Sequence, residues 1–278
     1  MAVVALAVVA LIVYGGYRLY RRTDALGAPA IVTPGMDVRR LLSPSLAVRW
    51  DRLIHGNSPP AGPRPKLIAL TFDDGPYPVD TPLLLDVLRD LHVPGTFFLI
   101  GRDAEQYPEL VRRIAASGGE IADHTSTHPN LAELDDAAVR AEIDAGVAEL
   151  SRFVSDPAVH RLMRPPHGRY REATLRVAQA AGYDVVLWND DPGDWRRVGA
   201  PELASHIRAH ATAPEILLLH SGRLATVAML PAVVADYRAA GYEFVTVGEL
   251  LEAVSPDQLN HPRKNPLPES NRGLAVQP

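Results

Sequence analysis

Short runs rich in β-branched, aromatic and leucine residues recur through the middle of the chain, at Leu67–Phe72, Thr96–Ile100, Glu120–Ala122, Arg161–Met163, Asp184–Trp188, Ile216–Leu219 and Glu243–Val247. Most are separated by stretches in which apolar residues recur at helical spacing: Pro82–Leu91, Glu109–Ser117, Ala138–Phe153, Glu172–Ala181, Pro201–His210 and Pro231–Ala240. Thr81 and Pro82 make an N-cap and first-position pair, and Gly118, Gly182 and Gly241 follow helices as stop signals. Strand and helix alternating in this way predict an α/β protein with a parallel sheet, open or closed into a barrel. The number of strands, with no Gly-rich phosphate turn, favours the barrel over a dinucleotide fold.

The ends break this pattern. Ala2 to Tyr17 is uncharged and dominated by Ala, Val and Leu, with Arg18, Arg21 and Arg22 directly behind it. About 17 apolar residues suffice to span a bilayer as a helix, so residues 1–22 are read as an N-terminal transmembrane helix. A cleaved signal segment is the alternative, although no basic stretch precedes the apolar run and Ala28-Pro29-Ala30 is a weak cleavage site. The trailing arginines favour a cytoplasmic position for the chain beyond them, although a large membrane-anchored domain can be extracytoplasmic despite such flanking charge. Residues 23–65, rich in Pro, Gly and Ala, are read as a linker, 66–254 as the folded domain and 255–278 as a loosely ordered Pro-rich tail.

Composition narrows the function. Hydrophobic residues at 47 % and charged residues at 22 % can fill a core, while a net charge of −5 without a basic tract argues against nucleic acid as partner. The absence of cysteine excludes disulfides and thiolate chemistry.

The polar residues with chemical potential follow the strands. Asp73 and Asp74 follow the first, His124 and His128 the third, Arg164 and His167 the fourth, Asp191 and Asp194 the fifth, and His220 ends the sixth. In a barrel the carboxyl ends of the strands share one mouth, so these clusters converge there. Alone, Asp73-Asp74-Gly75-Pro76 reads equally as a turn and His220 as a buried structural histidine. Together, Asp74, His124 and His128 form a two-histidine, one-carboxylate set suited to Zn²⁺ or another divalent transition metal. Asp73 is placed to act as base beside that ligand. Arg164 is placed to hold Asp73 ionised, and a carboxylate such as Asp194 near His220 would keep the imidazole protonated as an acid.

On these residues the chain resembles the polysaccharide deacetylases of carbohydrate esterase family 4, with the NodB homology domain, over roughly Lys66 to Val254. Thr71-Phe72-Asp73-Asp74-Gly75-Pro76, His124-Thr125-Ser126-Thr127-His128-Pro129, Arg164-Pro165-Pro166-His167-Gly168, Asp191-Pro192-Gly193-Asp194-Trp195 and Leu218-Leu219-His220 match the five family motifs in order. The resemblance implies a distorted (β/α)7 barrel and a hydrolase that removes acetyl groups from an N-acetylated sugar polymer. It assigns Asp73 as catalytic base, Asp74, His124 and His128 as ligands of Zn²⁺ (or Co²⁺ or Ni²⁺), Arg164 as the group orienting the base, and His220 as catalytic acid assisted by Asp194. Trp188, Trp195 and Leu218 would line the acetyl pocket. His167 stands where the family usually has Tyr or Phe, and is expected to alter sugar contact or pH dependence while leaving the metal site intact. The implied partners are a polysaccharide or oligosaccharide, with N-acetylglucosamine in peptidoglycan foremost, and a membrane through the N-terminal helix. The protein itself is expected to be a monomer. Hydrolysis of an O-acetyl ester or of an acyl group on a lipid-linked sugar is the enzymatic alternative, and a silent carbohydrate-binding protein the non-enzymatic one.

Overall fold

The computed structural model describes residues 65–254, the short strand Arg263–Lys264 and Leu267. The expected membrane span, and all but the last residue of the expected linker, lie outside the described residues. No helix among the described residues is long and apolar enough to cross a membrane.

β1 (Leu67–Asp73) is the centre of the sheet, and all its residues are buried. It pairs in parallel with β7 (Glu215–His220) along one side. On the other side it pairs with β8 (Glu243–Phe244) at its start and β2 (Thr96–Leu99) at its end. Beyond β2 come β3 (Glu120–Asp123), β4 (Leu162–Met163) and β5 (Asp184–Val185), again all parallel. Alternation along β1 sorts its side chains. Ile68, Leu70 and Phe72 join the larger apolar cluster with the helices, whereas Leu67 and Ala69 join a smaller inner cluster that holds Phe98, Leu162 and Ile216. Thr71 and Asp73 continue the Leu67 and Ala69 face, so the strand's last inward residue is a carboxylate. By the same period Ile216, Leu218 and His220 share the inner face of β7.

The main sheet is a parallel half-barrel, and its two edges meet through one bridge instead of a full ladder. After Val185 the chain leaves the sheet, then returns at Asp190, which bridges Leu217 of β7. Asn189 completes this closure: its backbone N–H donates to the Ile216 carbonyl (3.1 Å), its side-chain oxygen accepts from the Ile216 N–H (2.8 Å), and its amide donates to the Pro214 carbonyl (3.1 Å). The expected strand Asp184–Trp188 is therefore cut short. The carbonyls of Val186 and Leu187, which a longer strand would commit to a neighbour, accept from the Arg164 side chain instead, at 3.2 and 3.3 Å.

The helices lie close to expectation, with instructive exceptions. α1 (Asp80–Leu91) begins before Thr81, so the N-cap position belongs to Val79, and Thr81 Oγ1 accepts from the Tyr77 N–H at 2.8 Å. α2 (Gly101–Gln106) has no counterpart among the expected helices. It leads into α3 (Pro108–Ala116), and α4 (Asp136–Ser151), α5 (Glu172–Ala180) and α6 (Ala200–His210) come next in chain order. α7 (Leu224–Ala239) extends well upstream of Pro231, which sits inside it, forgoing one backbone donor within a helix buried along much of its length. The expected strand to Val247 stops at Phe244, because Thr246 and Glu249 form a capping box that starts α8 (Val247–Ala253). The tail is not loose throughout. β9 (Arg263–Lys264) pairs antiparallel with β6 (Thr212–Ala213), and the Leu267 N–H donates to the Arg208 carbonyl.

Because Asn189 supplies the acceptor for a strand N–H that has no substitute, Asn189→Ala is expected to cost about 2 kcal/mol of stability, measurable as a lowered urea midpoint at unchanged slope.

Candidate active site

Register places the chemistry. Asp73, the last residue of β1, lies directly opposite His220, the last residue of β7, so neighbouring strand ends present a carboxylate and an imidazole to one mouth. β3 delivers His124 from the adjacent side, and β4 runs straight into Arg164.

Arg164 is fully buried. Its guanidinium donates to Asp73 Oδ1 at 2.6 Å and Thr71 Oγ1 at 2.8 Å, besides the carbonyls of Val186 and Leu187. It also lies 4.0 Å from the Phe98 ring centroid and 5.5 Å from that of Trp188. Burial lowers its pKa and Asp73 opposes that fall; arginine starts so high that the charge is retained. Asp73 Oδ1 is thus occupied, and Oδ2 faces His124 Nε2 at 3.7 Å.

Asp74, His124 and His128 offer ligand atoms that all lie within 4.8 Å of one another. Asp74 Oδ1 is 3.7 Å from His124 Nε2 and 3.2 Å from His128 Nε2. Ligand bonds of about 2.0–2.1 Å around one ion put adjacent donor atoms roughly 3–3.4 Å apart, so the set fits a divalent metal with little adjustment. The tautomer fits as well. His124 Nδ1 lies 2.8 Å from the Arg164 carbonyl, an acceptor only, so Nδ1 carries the hydrogen and Nε2 presents its lone pair. Burial, opposed by Asp73 and Asp74, lowers the His124 pKa and keeps the ring neutral. Burial raises the Asp74 carboxyl, but the His128 hydrogen bond and the charges of His124, His220 and His128 outweigh it and bring the pKa to about 2.

The backbone of the site is unusual. Asp74, Thr125, His128 and His167 all adopt positive φ, four of the five non-glycine residues that do so among the described residues. Such conformations cost energy and persist where surrounding contacts enforce them. Here the Asp123 carboxylate accepts from the Thr125 N–H at 3.1 Å and Thr125 Oγ1 accepts from the His128 N–H at 3.1 Å.

His220 is held by Asp194: its Nδ1 lies 2.7 Å from one carboxylate oxygen, and its backbone N–H donates to the other at 2.8 Å, which also accepts from Thr226 Oγ1 at 2.6 Å. Burial alone would lower the imidazole pKa. The Asp194 hydrogen bond and charge, with the charges of Asp73 and Asp74, reverse this and raise it to about 9.

The remaining expected residues divide. Leu218 is buried on the inner face of β7 and its N–H donates to the Asp190 carbonyl. Trp188 packs so closely on Gly168 that a Cβ there would lie 2.5 Å from the indole. Trp195 is 47 % exposed, with the Arg196 guanidinium 4.7 Å from its ring centroid. His167 is exposed, and its ring meets His128 edge-on at 4.6 Å between centroids; burial and then the charge of His128 lower its pKa. Two contributors escape sequence reasoning. Thr71, which accepts from Arg164 and donates to the Leu217 carbonyl at 2.7 Å, opens the first motif and shares a strand face with Asp73, but neither mark gives it this contact. Thr226, the third group on Asp194, carries no sequence signal.

Comparison with known proteins establishes the family. The family model described as polysaccharide deacetylase matches residues 61–186. A peptidoglycan-N-acetylglucosamine deacetylase of Bacillus cereus is 37 % identical over 221 residues, covering 78 % of this chain and 98 % of the relative. A chitooligosaccharide deacetylase of Bradyrhizobium is 41 % identical over 155 residues, covering 56 % of this chain and 70 % of the relative. The crystal structure of the Bc1960 peptidoglycan N-acetylglucosamine deacetylase superposes with a TM-score of 0.65 at 33 % identity, covering 69 % of this chain and 91 % of that one. The chain belongs to the polysaccharide deacetylase family, carbohydrate esterase family 4.

A protonated His220 is lost as pH rises through its pKa, so activity that needs it falls on the alkaline side. A cation held at Asp74 offsets the pull of the carboxylates, which places that fall below the value of about 9 set by the protein groups alone. Asp194→Asn removes the largest raising influence and is expected to move the alkaline limb of the kcat/KM profile further down, toward or below the ordinary histidine value of about 6.5. An unmoved limb would refute the pairing's role.

Proposed function

We propose that this chain hydrolyses the acetamide of N-acetylglucosamine units in peptidoglycan or a chitin-like polymer, releasing acetate and leaving a free amine on the sugar. The observation that carries this reading is the flanking of one metal-ready trio, Asp74, His124 and His128, by two differently tuned pairs, Asp73 with Arg164 and His220 with Asp194. The relatives named above act on peptidoglycan and chitooligosaccharides, which favours these substrates over O-acetyl esters or lipid-linked sugars. A peptidoglycan substrate also favours an extracytoplasmic location.

Asp74, His124 and His128 would hold the metal, with Zn²⁺ the first choice for a set of two imidazoles and one carboxylate. When bound, the ion supplies Lewis acidity at the acetamide carbonyl and makes water more acidic. The chain's own groups do the proton work. Asp73 Oδ2 takes a proton from the attacking water, while Arg164 fixes the carboxylate through Oδ1. His220, with Nδ1 turned to Asp194, donates from Nε2 to the departing nitrogen as the C–N bond breaks. Trp188 and Leu218 offer the apolar surface an acetyl methyl group needs.

Acetate release by the protein from peptidoglycan, chitin oligomers and acetylated xylan, with and without chelator, is the direct test. Chelator-sensitive release is expected from the first two; no such release from any polymer would overturn the reading. Asp73→Asn is expected to retain metal while losing about a hundredfold or more in turnover, whereas His124→Ala should lose both.

A further inference from the structure

The loop that carries both histidine ligands does not hold its shape alone. Between His124 and His128 the chain turns through positive φ at Thr125 and again at His128, and α4 lies directly behind it. Three residues of α4 on one face, Glu142, Gly146 and Glu149, meet this loop at the i, i+4, i+7 spacing of a helix stripe. Gly146 allows the approach: a Cβ there would lie 2.3 Å from Asp123 Oδ1, 2.8 Å from the Thr125 carbonyl carbon and 2.9 Å from the Ser126 nitrogen. Glu149 accepts from Ser126 Oγ at 3.0 Å. Glu142 does the most. Its backbone carbonyl accepts from the Ser126 N–H at 3.1 Å, one carboxylate oxygen accepts from the Thr127 N–H at 2.9 Å, and the other from Thr127 Oγ1 at 2.8 Å.

We infer that Glu142 is a positioning residue for the metal centre: by gripping Thr127 with its carboxylate it holds the left-handed turn that aims His128 at Asp74. The grip acts between the two ligands, not on either of them, so it fixes their separation and leaves their hydrogen bonding unchanged. Beside α4, and packed on it at Gly146 and Glu149, the first N–H groups of α2 hold the same loop, Gly101 donating to the Thr125 carbonyl and Arg102 to the Ser126 carbonyl, each at 3.0 Å. Those contacts are backbone to backbone and survive any side-chain change; of the two α4 carboxylates on the loop, Glu149 holds only the Ser126 hydroxyl, whereas Glu142 holds both the N–H and the hydroxyl of Thr127, the residue next to His128. In the metal-free protein the loss then appears as a wider distribution of His128 positions, and in the loaded protein as weaker affinity.

The inference rests on the proposed metal role of Asp74, His124 and His128, and its test separates the two. Zn²⁺ is titrated calorimetrically into chelator-stripped full-length protein, and thermal unfolding is followed with and without Zn²⁺, for the parent, Glu142→Ala, Glu142→Gln and Thr127→Val. Glu142→Ala is expected to weaken Zn²⁺ binding about fivefold or more, the equivalent of one lost hydrogen bond, and to shrink the Zn²⁺-dependent rise in Tm accordingly. Glu142→Gln recovers most of the affinity, since its amide oxygen accepts from the Thr127 N–H and its NH₂ donates to Oγ1. Thr127→Val shows a smaller loss than Glu142→Ala. A purely structural Glu142 would lower Tm equally with and without Zn²⁺ and leave the Kd within about twofold of the parent, and that outcome overturns the inference. Should Glu142→Ala fail to fold, Thr127→Val decides, an unchanged Kd counting against the clamp. A parent protein that binds no Zn²⁺ sinks the metal reading itself, whereas a parent that binds and variants that match it sink only the role of Glu142.

Discussion

A guanidinium without solvent around it must be paired on every side, and in this protein the pairing of Arg164 organises the whole mouth of the sheet. Its side chain ties Asp73 and Thr71 of β1 to the carbonyls of Val186 and Leu187, while its backbone carbonyl fixes His124 and its N–H donates to the Asp123 carbonyl. One residue thus sets the orientation of Asp73, the tautomer of His124 and the point at which β5 leaves the sheet. Buried ion pairs contribute little net stability, because desolvation offsets most of their attraction, yet breaking one leaves an uncompensated charge at a cost of roughly 3–5 kcal/mol. Arg164 is better understood as a constraint than as a source of stability: its buried donors are committed to two side chains and two carbonyls from separate segments.

That constraint explains the incomplete barrel. Regular pairing past Val185 would consume the carbonyls that Arg164 requires, so the edge opens, and the chain recovers only at Asn189 and Asp190 beside β7. The interruption has a chemical use. It frees the next segment to carry Asp194 under His220, where a second buried carboxylate serves a different end. Asp73 is paired with a permanent cation and remains an acceptor; Asp194 is paired with a titratable ring and maintains a donor. Two carboxylates in one pocket are thus given different partners, and different partners suit them to different work.

How much of this is legible in the sequence depends on whether the cause is local. The strands from Leu67, Thr96, Glu120 and Ile216 are short apolar runs and stand nearly where the pattern puts them, and the motif residues at their ends converge on one mouth. Elements decided by distant partners are not legible. Asp184–Trp188 reads as one strand until Arg164 is placed beside it, and Pro231 reads as a helix start until the packing of Met229, Leu230, Val233 and Val234 is seen to carry the helix through it. Thr246–Glu249 is a different failure: the capping box is written in four consecutive residues, but the β-branched character of Val245, Thr246 and Val247 masks it. Nothing in the local sequence marks Glu142, whose meaning comes from Thr127, 15 residues away.

The clustering of left-handed backbone at Asp74, Thr125, His128 and His167 follows from the same geometry. Short parallel strands end abruptly, and side chains from three of them must reach a common point within a few ångströms. A residue continuing in extended conformation would carry its side chain past that point, whereas a turn through positive φ folds it back over the strand end. Asp and His tolerate that region better than most residues, so the chemistry of the ligands and the geometry of their delivery select the same amino acids. Thr125 is the exception, a β-branched residue in a conformation that disfavours it, and it is also the residue whose N–H and hydroxyl are both engaged, by Asp123 and by the His128 N–H. The turn is held where it is by hydrogen bonds from β3, α2 and α4 together, which is why side chains delivered by a loop can be as well placed as those delivered by a strand.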